Sequence, residues 1–203
     1  MPNTLGKTEI CNTALRRIGI RPINNVESDT STAATELKSV WSLAVHSVLR
    51  GAEWNFARKI TPLAELAFEK ALGWDYLYQY PNDCVAIWAI ENENSIRNSE
   101  ATYRWELMLS PNSGTLAIAT DCPHAYGRYT SIVEDPTLWD TQFVDCLGWR
   151  LAMDVCQRLA SDTGLFTKCN QMYLSSLSAA QTANKTEKKN DEESQGFFIN
   201  VRG

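Results

Sequence analysis

The chain has 203 residues, 44% of them hydrophobic and 21% charged, enough for one domain with a sizeable insert around a packed core. A formal charge of −5 argues against free nucleic acid as the main partner, because phosphate binding needs clustered Lys and Arg. The same balance fits either an acidic wall along which DNA slides or plain solubility, and no apolar run approaches the ~20 residues of a membrane span.

Met1-Pro2-Asn3-Thr4 leads directly into a polar helix start, with no basic region followed by an apolar run, which predicts synthesis and folding in a cytosol. The spacing of Ile10, Cys11, Ala14, Leu15 and Ile18 predicts a first helix from Thr8 to Ile18. Gly19 suits the position after its end, Ile20 folds back onto the last turn, and Pro22 prevents resumption. After a polar connection over 20–30, a second helix begins near Ser31. Its stripe is Ala33, Leu37, Val40, Trp41, Ala44, Val48 and Leu49. Two amphipathic helices so joined predict an antiparallel pair.

Beyond Val48-Leu49-Arg50 and Trp54-Asn55-Phe56-Ala57 the pattern turns strand-rich. Pro62, Pro81, Pro111 and Pro123 punctuate it. Residues 64–72 read as a short helical or irregular piece. The alternation of Trp74, Tyr76, Tyr78 and Tyr80 places four rings on one strand face. There they pack against the helices or, less simply, form a platform for sugar or single-stranded nucleic acid. Val85 to Ile90 reads as a buried strand. Thr102–Leu109 and Thr115–Thr120 form a hairpin around Ser110-Pro111-Asn112-Ser113-Gly114, and Tyr126–Val133 is a further strand. Asp135-Pro136 then starts a third helix, with Val144, Leu147, Leu151, Val155 and Leu159 inward and Trp139, Phe143 and Cys146 widening that face. It stops near Ser161-Asp162-Thr163-Gly164. A fourth helix carries Leu165, Cys169, Met172, Tyr173, Leu177 and Ala180, and frays into the charged run 184–193.

These elements predict an α+β fold: a four-helix bundle from the N- and C-terminal helix pairs, a β-rich insert and an extended C-terminal tail. The corresponding segments are 1–55, 56–133, 134–189 and 190–203. Seven tryptophans exceed what one small core requires and point to an extended contact surface.

Chemistry is sparse. His46 reads as a helix-surface or interhelix residue and His124 as a loop residue, and no nucleophile elbow, phosphate-cradling glycine loop or zinc-protease helix is present. Cysteines 11, 84, 122, 146, 156 and 169 lack Cys-x-x-Cys spacing and read as buried free thiols, so no metal, cofactor or catalytic residue is assigned. Glu91, Glu93, Glu134 and Asp135 are the acids a sugar-cleaving site would use, although acids at strand ends and helix caps have local reasons to be there. The final segment offers Phe197, Phe198, Ile199, Val201 and Arg202, too short for a core of its own. It either adds as a strand to another protein, folds back on its own subunit, or stays disordered.

Cys11-Asn12-Thr13-Ala14-Leu15 with Ile18-Gly19 resembles the opening helix of the head-to-tail adaptor proteins of short-tailed bacteriophages, also called tail tubular protein A or gatekeeper-like connectors. Val48-Leu49-Arg50 and Trp54-Asn55-Phe56-Ala57 are similar to that family's second helix and its exit. Trp74, Tyr78, Tyr80-Pro81 and Asp83 resemble the block that follows. The likeness covers residues 8–84 and the helix from Asp135 to Ala160.

The resemblance implies a virion protein at the head–tail junction. It would form a closed ring of about twelve subunits beneath the portal protein and above the tail nozzle, with DNA passing through the lumen without specific binding. Trp54, Asn55, Phe56, Trp74, Tyr78, Tyr80 and Asp83 would form the scaffold junction, and Phe197, Phe198, Ile199, Val201 and Arg202 would dock on the portal. The family brings no cofactor and no catalytic set. The alternative from the residues alone is a glycan-cleaving hydrolase or a carbohydrate-binding tail component.

Overall fold

The structure, a computed structural model, describes residues 6–67, 69–98 and 102–187. The described elements are α1 (Lys7–Arg17), α2 (Thr32–Gly51), β1 (Arg58–Pro62), β2 (Tyr76–Gln79), β3 (Cys84–Glu91) and α3 (Glu93–Asn98). They continue with β4 (Trp105–Leu109), β5 (Leu116–Thr120), β6 (Tyr126–Ser131), α4 (Thr141–Ala160) and α5 (Thr163–Glu187). The chain is α+β, and it divides into two compact units. One holds residues 6–40 and 140–187 and the other residues 41–139, so the boundary falls inside α2.

In the helical unit, α4 packs closely on α5 and on α1. Ile10, Cys11, Ala14 and Leu15 of α1 are buried, as are Phe143, Val144, Cys146, Leu147, Leu151 and Val155 of α4. Burying each large apolar side chain stabilises the fold by ~1.5–3 kcal/mol. The end of α1 is a Schellman cap: Ile20 N–H donates to Leu15 O at 3.0 Å and Gly19 N–H to Arg16 O at 3.2 Å, with Gly19 at φ +73°. The connection after it is not a loose polar loop. Asn12 brackets Ile23, donating to its carbonyl at 2.9 Å and accepting from its N–H at 2.8 Å, and Val26 N–H donates to Thr8 Oγ1.

The four-helix bundle is overturned. The close partner of α1 is α4 rather than α2, because Asn12 and Thr8 fold the connection back onto α1. Only residues 32–40 of α2 belong to the helical unit, where Glu36 pairs with Arg158 at 2.9 Å. The third helix also starts later than the Asp-Pro signal indicates. Asp135 caps a single 3-10 turn over Pro136–Leu138, the backbone is extended at Trp139, and Asp140 caps α4 through Phe143 N–H at 2.7 Å.

The other unit contains two three-stranded antiparallel sheets, ordered β1-β6-β3 and β2-β5-β4. The predicted hairpin is β4–β5, in register from Trp105↔Thr120 to Leu109↔Leu116. Tyr78, Ile118 and Leu107 on one face of the second sheet meet Ile87, Ile90 and Tyr129 of the first in one apolar cluster. The opposite face, with Leu77, Ala117, Ala119 and Met108, is covered by Leu66, Ala71 and Trp74. Residues 64–67 and 69–74 are therefore a strap across the sheet. Leu66 N–H donates to Leu77 O and Gln79 N–H to Ala64 O, both at 2.8 Å. Two register shifts in β3, between Cys84 and Ala86 and between Ile87 and Ala89, break its simple alternation.

Candidate functional site

The residues proposed as a scaffold junction all fall in the β-containing unit. The last carbonyls of a helix have no partner within it. At the end of α2, Trp54 supplies one: its buried indole N–H donates to Val48 O at 2.9 Å. Asn55 and Phe56 form the 3-10 turn that follows, with the Phe56 ring 6.1 Å from that of Trp54. The helix exit is tied to the sheet at several points. Arg50 donates to Val85 O at 2.8 Å and Ser131 Oγ to Ala57 O at 3.0 Å. Arg128 lies between Glu53 at 3.7 Å and Glu91 at 3.5 Å.

Tyr78, Tyr80 and Asp83 come together around Tyr129 in the sheet core. Tyr78 is buried, and its hydroxyl donates to Cys122 O at 2.9 Å while accepting from Ala125 N–H at 3.3 Å. Tyr80 packs against the same cluster. Asp83 accepts from Lys59 at 2.5 Å and from the Tyr129 hydroxyl at 3.0 Å. Burial opposes ionisation of Asp83, but the Lys59 ammonium and the Tyr129 hydroxyl outweigh it and hold the carboxyl below its ordinary value.

Trp74 does not share the face of the tyrosines. The strand begins only at Tyr76, after a turn, so alternation does not extend back to residue 74. Trp74 joins the opposite cluster and lies under the Arg104 guanidinium, 4.4 Å from the ring centre. Tyr76, Tyr78 and Tyr80 pack against strands of their own unit rather than against helices. The tail residues Phe197, Phe198, Ile199, Val201 and Arg202 lie outside the described residues.

The carboxylates weighed for glycan cleavage have separate engagements. Glu91 is buried beside Arg128, and Glu93 accepts from the Tyr126 hydroxyl at 3.2 Å. Glu134 is exposed. Asp135 accepts from Thr137 N–H at 2.9 Å, which holds its carboxyl below the usual range and ionised. Glu93 borders an open cavity of about 430 Å³ with Asn92, Asn94, Pro123, His124 and Tyr126. Among the described residues it is the only carboxylate there, whereas glycoside hydrolysis uses a pair.

All six cysteines are free, and five are buried. Burial raises the Cys11 thiol to about 12 and the Cys122 and Cys146 thiols to about 11, so they remain protonated near neutrality. Among the described residues, no three His, Cys, Asp or Glu side chains gather as a metal site, and no helix is long and apolar enough to cross a membrane.

Sequence reasoning missed two groupings. Trp41 stacks on Trp139 with ring centres 6.1 Å apart, and the Trp139 indole donates to Val133 O at 2.9 Å. The Glu53–Arg128–Glu91 arrangement was also missed, although an arginine inside the aromatic and hydroxylic strand 126–131 was its signal. No protein-family model matches the chain, and no curated protein matches it.

Proposed function

We propose that this chain is a structural virion subunit, a head-to-tail adaptor. In this reading, copies assemble as a ring between a portal protein and a tail nozzle, leave a channel for DNA, and perform no catalysis. The observation that supports it is how the blocks carrying the family resemblance are used. Trp54 closes the end of α2 and Arg50 ties it to a strand, while Tyr78, Tyr80 and Asp83 are engaged within the sheet core. Residues so engaged build a rigid scaffold, the requirement for a subunit that must hold its neighbours in a fixed rotation.

The test is electron microscopy of the purified protein with and without portal protein. Rings that appear on, or are ordered by, the portal are the expected result. Particles that stay monomeric and never decorate the portal would remove the proposal.

A further inference from the structure

Among the described residues, three of the four outer sheet edges are closed or protected. Beside β3, Tyr103 bridges to Ile90. Beside β2, the strap pairs through Ala64 and Leu66. β1 is exposed, but it carries Arg58, Lys59 and Pro62, the charges and the missing N–H that discourage a stray strand. β4 has little of this defence. Its sequence Trp105-Glu106-Leu107-Met108-Leu109 has no proline and one charge, and its outer edge pairs with no described residue. At its end, Leu109 and the opposite Leu116 are 66% and 41% exposed, on the face that elsewhere carries Ile118 and Leu107. An open apolar edge of this kind is a template for one more strand.

We propose that β4 is extended by residues 197–202 of a neighbouring copy, running antiparallel to it. This rests on the ring reading above. The chain continues for sixteen residues beyond Glu187. The nine residues before Phe197 span up to ~30 Å when extended, a leash that leaves the segment free to meet another copy of the chain. Phe197, Ile199 and Val201 alternate with Phe198, Asn200 and Arg202. That is the period of a strand with one apolar face. Setting Arg202 opposite Glu106 brings Val201 opposite Leu107 and Ile199 opposite Leu109. The apolar row then covers Leu109, and the opposite charges meet across the strands. One repeated contact of this type satisfies every subunit of a closed ring.

A fluorescent peptide of residues 194–203, titrated into the full chain and followed by anisotropy, tests the pairing. The peptide should bind, and binding should weaken about fivefold when either E106K in the chain or R202E in the peptide is introduced. Combining the two should restore it. No binding to the unmodified chain, equal affinity in all four combinations, or binding only to portal protein would each overturn the pairing. Microscopy with portal reads the assembly separately. Rings without peptide binding would remove this proposal alone, and peptide binding without rings would remove the ring while keeping the strand pairing.

Discussion

The indole of Trp54 has two roles that a phenyl ring would split. Its rings fill the space beneath α2, and its N–H satisfies Val48 O. Trp54→Phe keeps most of the apolar area and orphans the carbonyl. It should lower stability by about 1–3 kcal/mol, read as a lower urea midpoint with an unchanged slope. Asp83 makes a different prediction, one of pH. Its folded carboxyl sits below the ordinary value, so its contribution is complete above the unfolded pKa of about 3.9 and is lost as pH falls through the lower folded value. Lys59 is the mirror case. Its hydrogen bond to Asp83 raises it, so its contribution holds below about 10.4 and fades only at more alkaline pH. Asp83→Asn should therefore be less stable at neutral pH and should decline less on acidification, as followed by chemical denaturation from about pH 6 to about pH 3.

At the scale of elements, the helical unit is held in register by a polar contact in the middle of its packing. Arg17 of α1 donates to Asp145 O at 2.9 Å, pairs with the Asp145 carboxylate, and lies 4.0 Å over the Trp149 ring. Ser176 of α5 donates to the other carboxylate oxygen at 2.6 Å. Gly148 makes room for this arm: a Cβ there would stand 2.7 Å from Arg17 Nη1. Gly148→Ala pushes only the end of the Arg17 arm aside, so it should cost no more than about 1 kcal/mol, with the better helix propensity of Ala offsetting part of the loss. In an Arg17→Ala background that cost should largely vanish, a coupling that a double-mutant cycle of denaturation midpoints would measure.

The two caps before α4 give a second contrast. Asp140→Ala should cost about 1 kcal/mol, because Asp140 caps a twenty-residue helix. Asp135→Ala should cost less, because it caps one 3-10 turn. Thermal unfolding of the pair decides it, and equal losses would mean that the Asp-Pro signal governs the helix after all.

For the whole molecule, most of the tryptophans already have a partner within their own unit. Trp54 and Trp139 are buried, Trp41 stacks on Trp139, and Trp74 and Trp149 lie under arginines. Trp88 donates to Thr130 Oγ1 at 2.7 Å. Among the described residues, the large apolar side chains more than half exposed are leucines: Leu43, Leu72, Leu109, Leu138 and Leu174. If copies associate through such surfaces, Leu109→Lys should leave the circular dichroism spectrum unchanged and lower the sedimenting mass at high concentration. An unchanged mass would take this end of β4 out of any interface.

The Schellman cap at Gly19, the β4–β5 hairpin around Ser110–Gly114 and the Asp162 region between α4 and α5 were legible because each is decided within a few neighbouring residues. So were the buried faces of α1 and α4, where helical spacing fixes which side chains share a side. The partners of those faces were not legible. Apolar stripes on α1, α2 and α4 look alike, and only the fold-back held by Asn12 sets α1 against α4. Asp135 and Asp140 offer equivalent caps, and burial of Trp139 between them selects the second for α4. Trp74 fits the tyrosine alternation by number and leaves it by geometry. By itself the sequence determined periodicity, caps and turns, because these are local. Tertiary structure decided which surfaces meet, because burial and hydrogen-bond pairing depend on residues far apart in the chain.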